Sequence, residues 1–65
     1  MRWTERTIRN QHQWCKITRD NQDRTYTFAY GREGEYRAYG IDLYPFKSIR
    51  NWSDAMDHAL SLIRS

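Results

Sequence analysis

Three histidine and cysteine side chains occur in this 65-residue chain: His12 and Cys15, three positions apart, and His58 far downstream. A closed zinc site takes four Cys or His ligands in a tetrahedron, so this set falls one short. No metal is expected, with Cys15 a small buried hydrophobe and His12 exposed. Asp54, His58 and Ser61 offer an acid, a base and a hydroxyl at steps of four and three. Stacked along one helix face, they lack a cleft and an oxyanion donor, so they read as a solvated polar face carrying a weak ion pair. Glu33 and Glu35 read as solvating turn residues rather than an acid/base pair. Gly31-Arg32-Glu33-Gly34 has the glycines of a phosphate loop. A phosphate cradle opens a helix, however, and this stretch joins two extended runs and carries a carboxylate. No catalytic residue and no cofactor is expected; the chemistry available is that of binding.

The elements that would present such chemistry are organised around Thr25 to Gly40. Tyr26, Phe28 and Tyr30 recur at every second position, the period of a strand with one face on a core. Two registers compete for the hairpin that follows. A tight turn centred between Arg32 and Glu33 would set Phe28 opposite Arg37 and Tyr30 opposite Glu35. A three-residue loop with Gly34 left-handed sets Tyr30 opposite Tyr36, Phe28 opposite Ala38 and Tyr26 opposite Gly40, matching large residues with small ones. The second is preferred. It turns Arg37 and Tyr39 outward, and a one-residue slip would invert every side chain.

Upstream, Asp20-Asn21-Gln22-Asp23 is a turn, because Asp and Asn side chains bond their own backbone two residues on. Closing it pairs Cys15 with Phe28 and Ile17 with Tyr26. The expected core face of the sheet is then Cys15, Ile17, Tyr26, Phe28, Tyr30, Tyr36, Ala38 and Gly40. Residues 2–9 favour extended backbone without clean alternation, and Gln11-His12-Gln13 is a turn. Downstream of Pro45 the period changes: Ile49, Trp52, Met56, Ala59, Leu60 and Ile63 fall at steps of three and four, the stripe of an amphipathic helix. Either Ser48 or Asn51 can cap it, and Asn51 with Asp54 has capping-box spacing. The spacing predicts strands over about 2–9, 13–19, 24–31 and 35–43 and a helix over about 51–64. The fold class is α+β, a single two-layer domain with a three- or four-stranded antiparallel meander and one C-terminal helix on one face. Ala38 and Gly40 are expected to make room for Trp52 or Met56.

Composition narrows the class further. Aromatic residues make up 15% of a chain whose mean hydropathy is −1.07, so the core must be a few large rings. A chain this short buries only about 60% of its unfolded surface, and dimerisation would add burial; monomer and homodimer both remain open. One cysteine permits no internal disulfide and fits a reducing, cytoplasmic setting. No membrane span or signal peptide is evident. The net charge of +3 is uneven: +4 over residues 1–19, −2 over 20–44 and +1 over 45–65. Nine arginines against two lysines favour stacking and forked hydrogen bonds over point charge.

The outward side of this sheet would show Trp14, Lys16, Thr18, Thr25, Thr27, Arg37, Tyr39 and Ile41, flanked by the basic segment with Arg2, Trp3, Arg6 and Arg9. Trp, Tyr and Arg are the residue types that dominate binding hot spots. The partner-binding set is therefore Trp14, Lys16, Arg37, Tyr39, Arg2, Trp3, Arg6 and Arg9, and the expected partner is a protein or ribonucleoprotein that the chain regulates. In size and style the chain resembles the compact inhibitors made by phages and mobile elements, the anti-CRISPR class among them. The alternative is a nucleic-acid-binding module. A three-stranded sheet backed by a C-terminal helix resembles the arm-type DNA-binding domains of some tyrosine recombinases, which would imply major-groove contacts from Arg37, Lys16 and Tyr39. Five acidic residues between Asp20 and Asp42 weigh against it.

Overall fold

A computed structural model describes residues 3–64. Four strands, β1 (Trp3–Asn10), β2 (Gln13–Asp20), β3 (Thr25–Arg32) and β4 (Gly40–Pro45), pair antiparallel in the order β1-β2-β3-β4, and one helix, α1 (Trp52–Leu62), follows. The architecture is the two-layer meander-plus-helix expected, with four strands.

Two short turns build the first hairpins. Gln11 takes positive φ at the β1–β2 turn, and Arg24 does so immediately before β3. Between them the Asp20 carboxylate accepts the amides of Gln22 and Asp23 at 2.9 and 3.1 Å, the local capture that Asp makes in turns. The β2–β3 loop thus runs to Arg24, and the register sits two residues from the expected one: Cys15 pairs with Tyr30 and Ile17 with Phe28. A two-residue shift preserves the face. Cys15, Ile17, Tyr26 and Phe28 are all fully buried.

The third connection departs further. The strand expected from residue 35 begins only at Gly40, so that Tyr30 pairs with Gly40, Phe28 with Asp42 and Tyr26 with Tyr44. The cause is that the chain after Arg32 runs on alongside the β1–β2 turn instead of folding back. The Glu33 amide donates to His12 O at 2.8 Å, and Glu35 N–H returns to Arg32 O at 3.1 Å across a turn in which Gly34 has φ +85°. Positive φ at that third position is where glycine is favoured. Gly34 is therefore left-handed as the sequence suggests, but within a connection over residues 33–39 rather than a tight bulge. Tyr36, placed in the core by the shorter loop, stands free in solvent, and Ala38 lies off the sheet.

The helix is capped by Asn51, whose Oδ1 accepts the Asp54 amide at 2.9 Å. Ala55, Ala59 and Ile63 form its buried line, with Trp52, Met56 and Leu62 beside it. Small residues at the centre let the helix approach rings that fill the space from below. Leu60, expected on the stripe, is 43% exposed because Ala55 holds the inward position. Tyr26 meets Trp52 edge-on at 5.6 Å and Phe46 at 5.2 Å. The room expected for Trp52 or Met56 at Gly40 is taken by Tyr30 instead, whose hydroxyl would stand 2.6 Å from a Cβ there.

Candidate binding surface

With α1 on one face, strand alternation defines the other. Cys15 and Ile17 point to the helix, so Trp14, Lys16 and Thr18 point away, and the registers extend this across the sheet. One cross-strand row reads Glu5, Thr18, Thr27, Leu43; the next reads Thr7, Lys16, Ala29, Ile41. Ile41 and Leu43 are 68% and 61% exposed on β4, the terminal strand of the sheet. Lys16 reaches Glu5 at 3.5 Å, both half-exposed, so the one lysine of this face has an acidic neighbour.

The sequence-selected residues divide. Trp3, 51% exposed, and Lys16 lie on the open face, as does Arg9, opposite Trp14. Trp14 is less a contact residue than a brace: its Nε1–H donates to Arg32 O at 2.8 Å and Glu35 O at 3.2 Å, which pins the 33–39 connection to the end of the sheet. Two shallow hollows flank it. One, of about 230 Å³, is lined by Arg9, Gln11, Gln13, Trp14, Glu33 and Gly34; the other, of about 340 Å³, by Arg9, Trp14, Gly34, Glu35 and Tyr36. Arg37 and Tyr39 lie in the connection rather than on a strand. Arg37 is exposed, and the half-exposed Tyr39 ring carries the Arg32 guanidinium at 5.2 Å. Arg6 belongs to the opposite face, its guanidinium 4.5 Å over the Trp52 ring and its Nη1 3.9 Å from Met56 Sδ. The cause is parity, since Arg6 pairs with the inward Ile17. Arg2 lies outside the described residues.

Leu43 is the exposed residue that sequence reasoning missed. The signal was present in Gly40-Ile41-Asp42-Leu43-Tyr44-Pro45, where two aliphatics alternate with residues of the helix side.

The residues weighed for catalysis and metal are dispersed. His58 does not lie on a solvated face beside Asp54. Its ring is wedged edge-on against Phe28 at 4.7 Å and Tyr44 at 4.8 Å, with Nε2 3.9 Å from an Asp42 carboxylate oxygen. Ser61 Oγ donates to His58 O at 2.6 Å, one turn back in its own helix. Cys15 is fully buried; burial, then the nearby Asp42 carboxylate, pushes its thiol from 9.0 up to about 11. His12 is exposed 3.5 Å from Glu33. No group of three or more His, Cys, Asp or Glu is arranged for a metal among the described residues, and no helix there is long and apolar enough to cross a membrane.

Comparison with protein families, with characterised proteins and with solved structures yields no match.

Proposed function

We propose that the chain is a small, non-enzymatic, cytoplasmic binding protein. It docks through the open face of its sheet on a protein or ribonucleoprotein partner and regulates or inhibits it, in the manner of phage and mobile-element inhibitors. The observation that carries this reading is the helix-free face, where Ile41 and Leu43 stand 68% and 61% exposed beside a threonine-rich centre. Neighbouring exposed aliphatic side chains are surface that a protein partner buries. The same face supports nucleic acid less well, because Lys16 sits with Glu5 and Arg6 lies on the far side. A duplex-binding sheet would keep those cations for phosphates.

The reading is tested by tagged capture from a bacterial lysate with face variants in parallel. Thr7→Glu and Lys16→Gln, on β1 and β2, are expected to abolish capture with a melting curve changed little, whereas the helix-side control Asp57→Ala retains it. Capture unaffected by both face variants would remove the face from the mechanism. Binding of DNA or RNA that weakens steeply with salt, with a slope of about −0.9 per phosphate contact, would move the assignment to the nucleic-acid module.

A further inference from the structure

Two arginines on the helix side of the sheet have no acidic partner among the described residues. Arg6 pairs with Ile17 and Arg19 with Thr4 across the β1–β2 ladder, so the two are diagonal neighbours on one face. Residues so placed stand about 7–8 Å apart, a gap that two arginine side chains can close from both sides. Each guanidinium lies on a ring instead of an acid: Arg6 4.5 Å over Trp52, and Arg19 5.0 Å over Phe46 and 5.8 Å over Tyr26. The ion pairs among the described residues, His12 with Glu33, Lys16 with Glu5 and His58 with Asp42, leave both arginines out. The carboxylates next to them in sequence are engaged elsewhere. Glu5 meets Lys16 on the open face, and Asp20 accepts the amides of Gln22 and Asp23.

Their hydrogen-bonding groups are also uncommitted. Arg6 Nη1 has only the Met56 sulfur at 3.9 Å, and Arg19 Nε is buried with no acceptor. The hydroxyl of Tyr26, which pairs with Arg19 from β3, is likewise buried without a partner. Buried polar groups are satisfied as a rule, so orphaned donors at neighbouring positions point to an acceptor. Stacking uses the face of a guanidinium and leaves its N–H edge for that acceptor. Lys47 and Arg50, exposed on the connection that carries Phe46 into α1, add positive potential.

We infer that Arg6 and Arg19 form a binding site for a phosphate monoester. A single arginine fork occupies both oxygens of a carboxylate, so two forks call for more acceptors and more charge than a carboxylate has. A phosphate monoester presents three terminal oxygens and about two negative charges, one for each guanidinium. A phosphodiester has fewer free oxygens and half the charge, which favours a terminal phosphate over a nucleic-acid backbone. Binding uses the Nε–H that Arg19 leaves unpaired, while Trp52 and Phe46 hold the two guanidinium planes. A phosphorylated side chain and a free nucleotide offer the same group. The site lies on the helix side and stands whether or not the open face docks a protein.

Titration of the full chain with inorganic phosphate at low ionic strength, followed through the arginine Nε–H signals in proton–nitrogen correlation spectra, tests it. The signals of Arg6 and Arg19 should shift together and saturate, while that of Arg64, beyond the far end of α1, is unmoved. Arg19→Lys keeps the charge and loses the fork; it should weaken phosphate binding at least about tenfold with the fold intact by circular dichroism. Arg64→Lys should bind as wild type does. Dimethyl phosphate, a diester, should bind at least about tenfold more weakly than inorganic phosphate. O-phospho-L-serine and adenosine monophosphate separate the sources: both should bind at least as well as inorganic phosphate, and the tighter of the two names the source. Shifts that never saturate or spread evenly over all arginines, phosphate affinity unchanged in Arg19→Lys, or equal binding of dimethyl phosphate would each overturn the inference.

Discussion

The indole of Trp14 occupies the space that a side chain at Gly31 would need. A Cβ there would stand 2.8 Å from Trp14 Cζ2 and 3.0 Å from the Arg37 carbonyl oxygen, one a ring and the other backbone. Neither can yield without moving the connection to β4. Gly31→Ala is therefore expected to destabilise the fold by about 1–3 kcal/mol, read as a lower urea midpoint. Trp14→Phe keeps most of the ring but removes the donor to Arg32 O and Glu35 O, at a cost of about 1 kcal/mol. Faster amide exchange at Glu35 is its local signature.

Gly40 is held by a similar contact on the helix side. The Tyr30 hydroxyl and Cζ would lie 2.6 and 2.8 Å from a Cβ at that position. Gly40→Ala should lower the melting temperature, and Tyr30→Leu in the same chain should recover part of the loss. Purely additive effects in the double variant would show that the two residues do not meet as described.

Arg6 and Arg9 are two arginines of one strand with opposite expected behaviour. Arg6→Ala gives up the stacking on Trp52 and should cost about 0.5–1 kcal/mol of stability. Arg9→Ala, at an exposed position on the other face, should leave the unfolding curve within about 0.5 kcal/mol. Equal losses in denaturant titrations would contradict this division of the basic segment.

The Cys15 thiol keeps its proton in the folded chain to about pH 11, whereas the unfolded chain releases it near 9.0. Between those values the folded state binds more protons, so stability is full below pH 9.0 and falls as pH rises toward about 11. Urea midpoints at pH 8 and pH 10, compared with those of Cys15→Ala, isolate the contribution: the variant should show the flatter response. A thiol reagent at pH 8 should label wild type only as it unfolds.

Asn51→Ala removes the acceptor for the Asp54 amide and is expected to destabilise by about 1 kcal/mol, with Asn51→Asp retaining the cap. Ser48→Ala should change little, because the Ser48 amide bond to Pro45 O is made by backbone and survives the substitution.

Faces were more legible than registers. The alternation of Tyr26, Phe28 and Tyr30 with Cys15 and Ile17 identifies the helix side. Both hairpin registers expected from sequence differ from the structure by even steps, so that side survives. The β3–β4 step is tied to Trp14 capturing carbonyls at residues 32 and 35, a contact between distant positions that no local pattern carries. The face of β1 was illegible for another reason. Thr4, Arg6 and Asn10 share the helix side with Ile8, and a single half-buried aliphatic sets no period. In the helix, counting large residues selected Leu60, whereas close approach to aromatic rings selects Ala55. Of the binding set, Trp3, Lys16 and Arg9 share one face because neighbouring strands carry them; Arg37 and Tyr39 moved with the longer connection.

The meander has a consequence for how the chain opens. Each strand pairs with its neighbours in sequence, so the hairpins close short loops, and such local topology favours rapid folding for a β-rich chain. The first strand and the helix are instead tied across long separations, by Asn10 Nδ2 donating to Ile63 O at 3.4 Å and by Arg6 lying on Trp52. In native-state hydrogen exchange, β1 and α1 should therefore release as one cooperative unit, while β2 and β3, each flanked by strands on both sides, persist to the global unfolding limit.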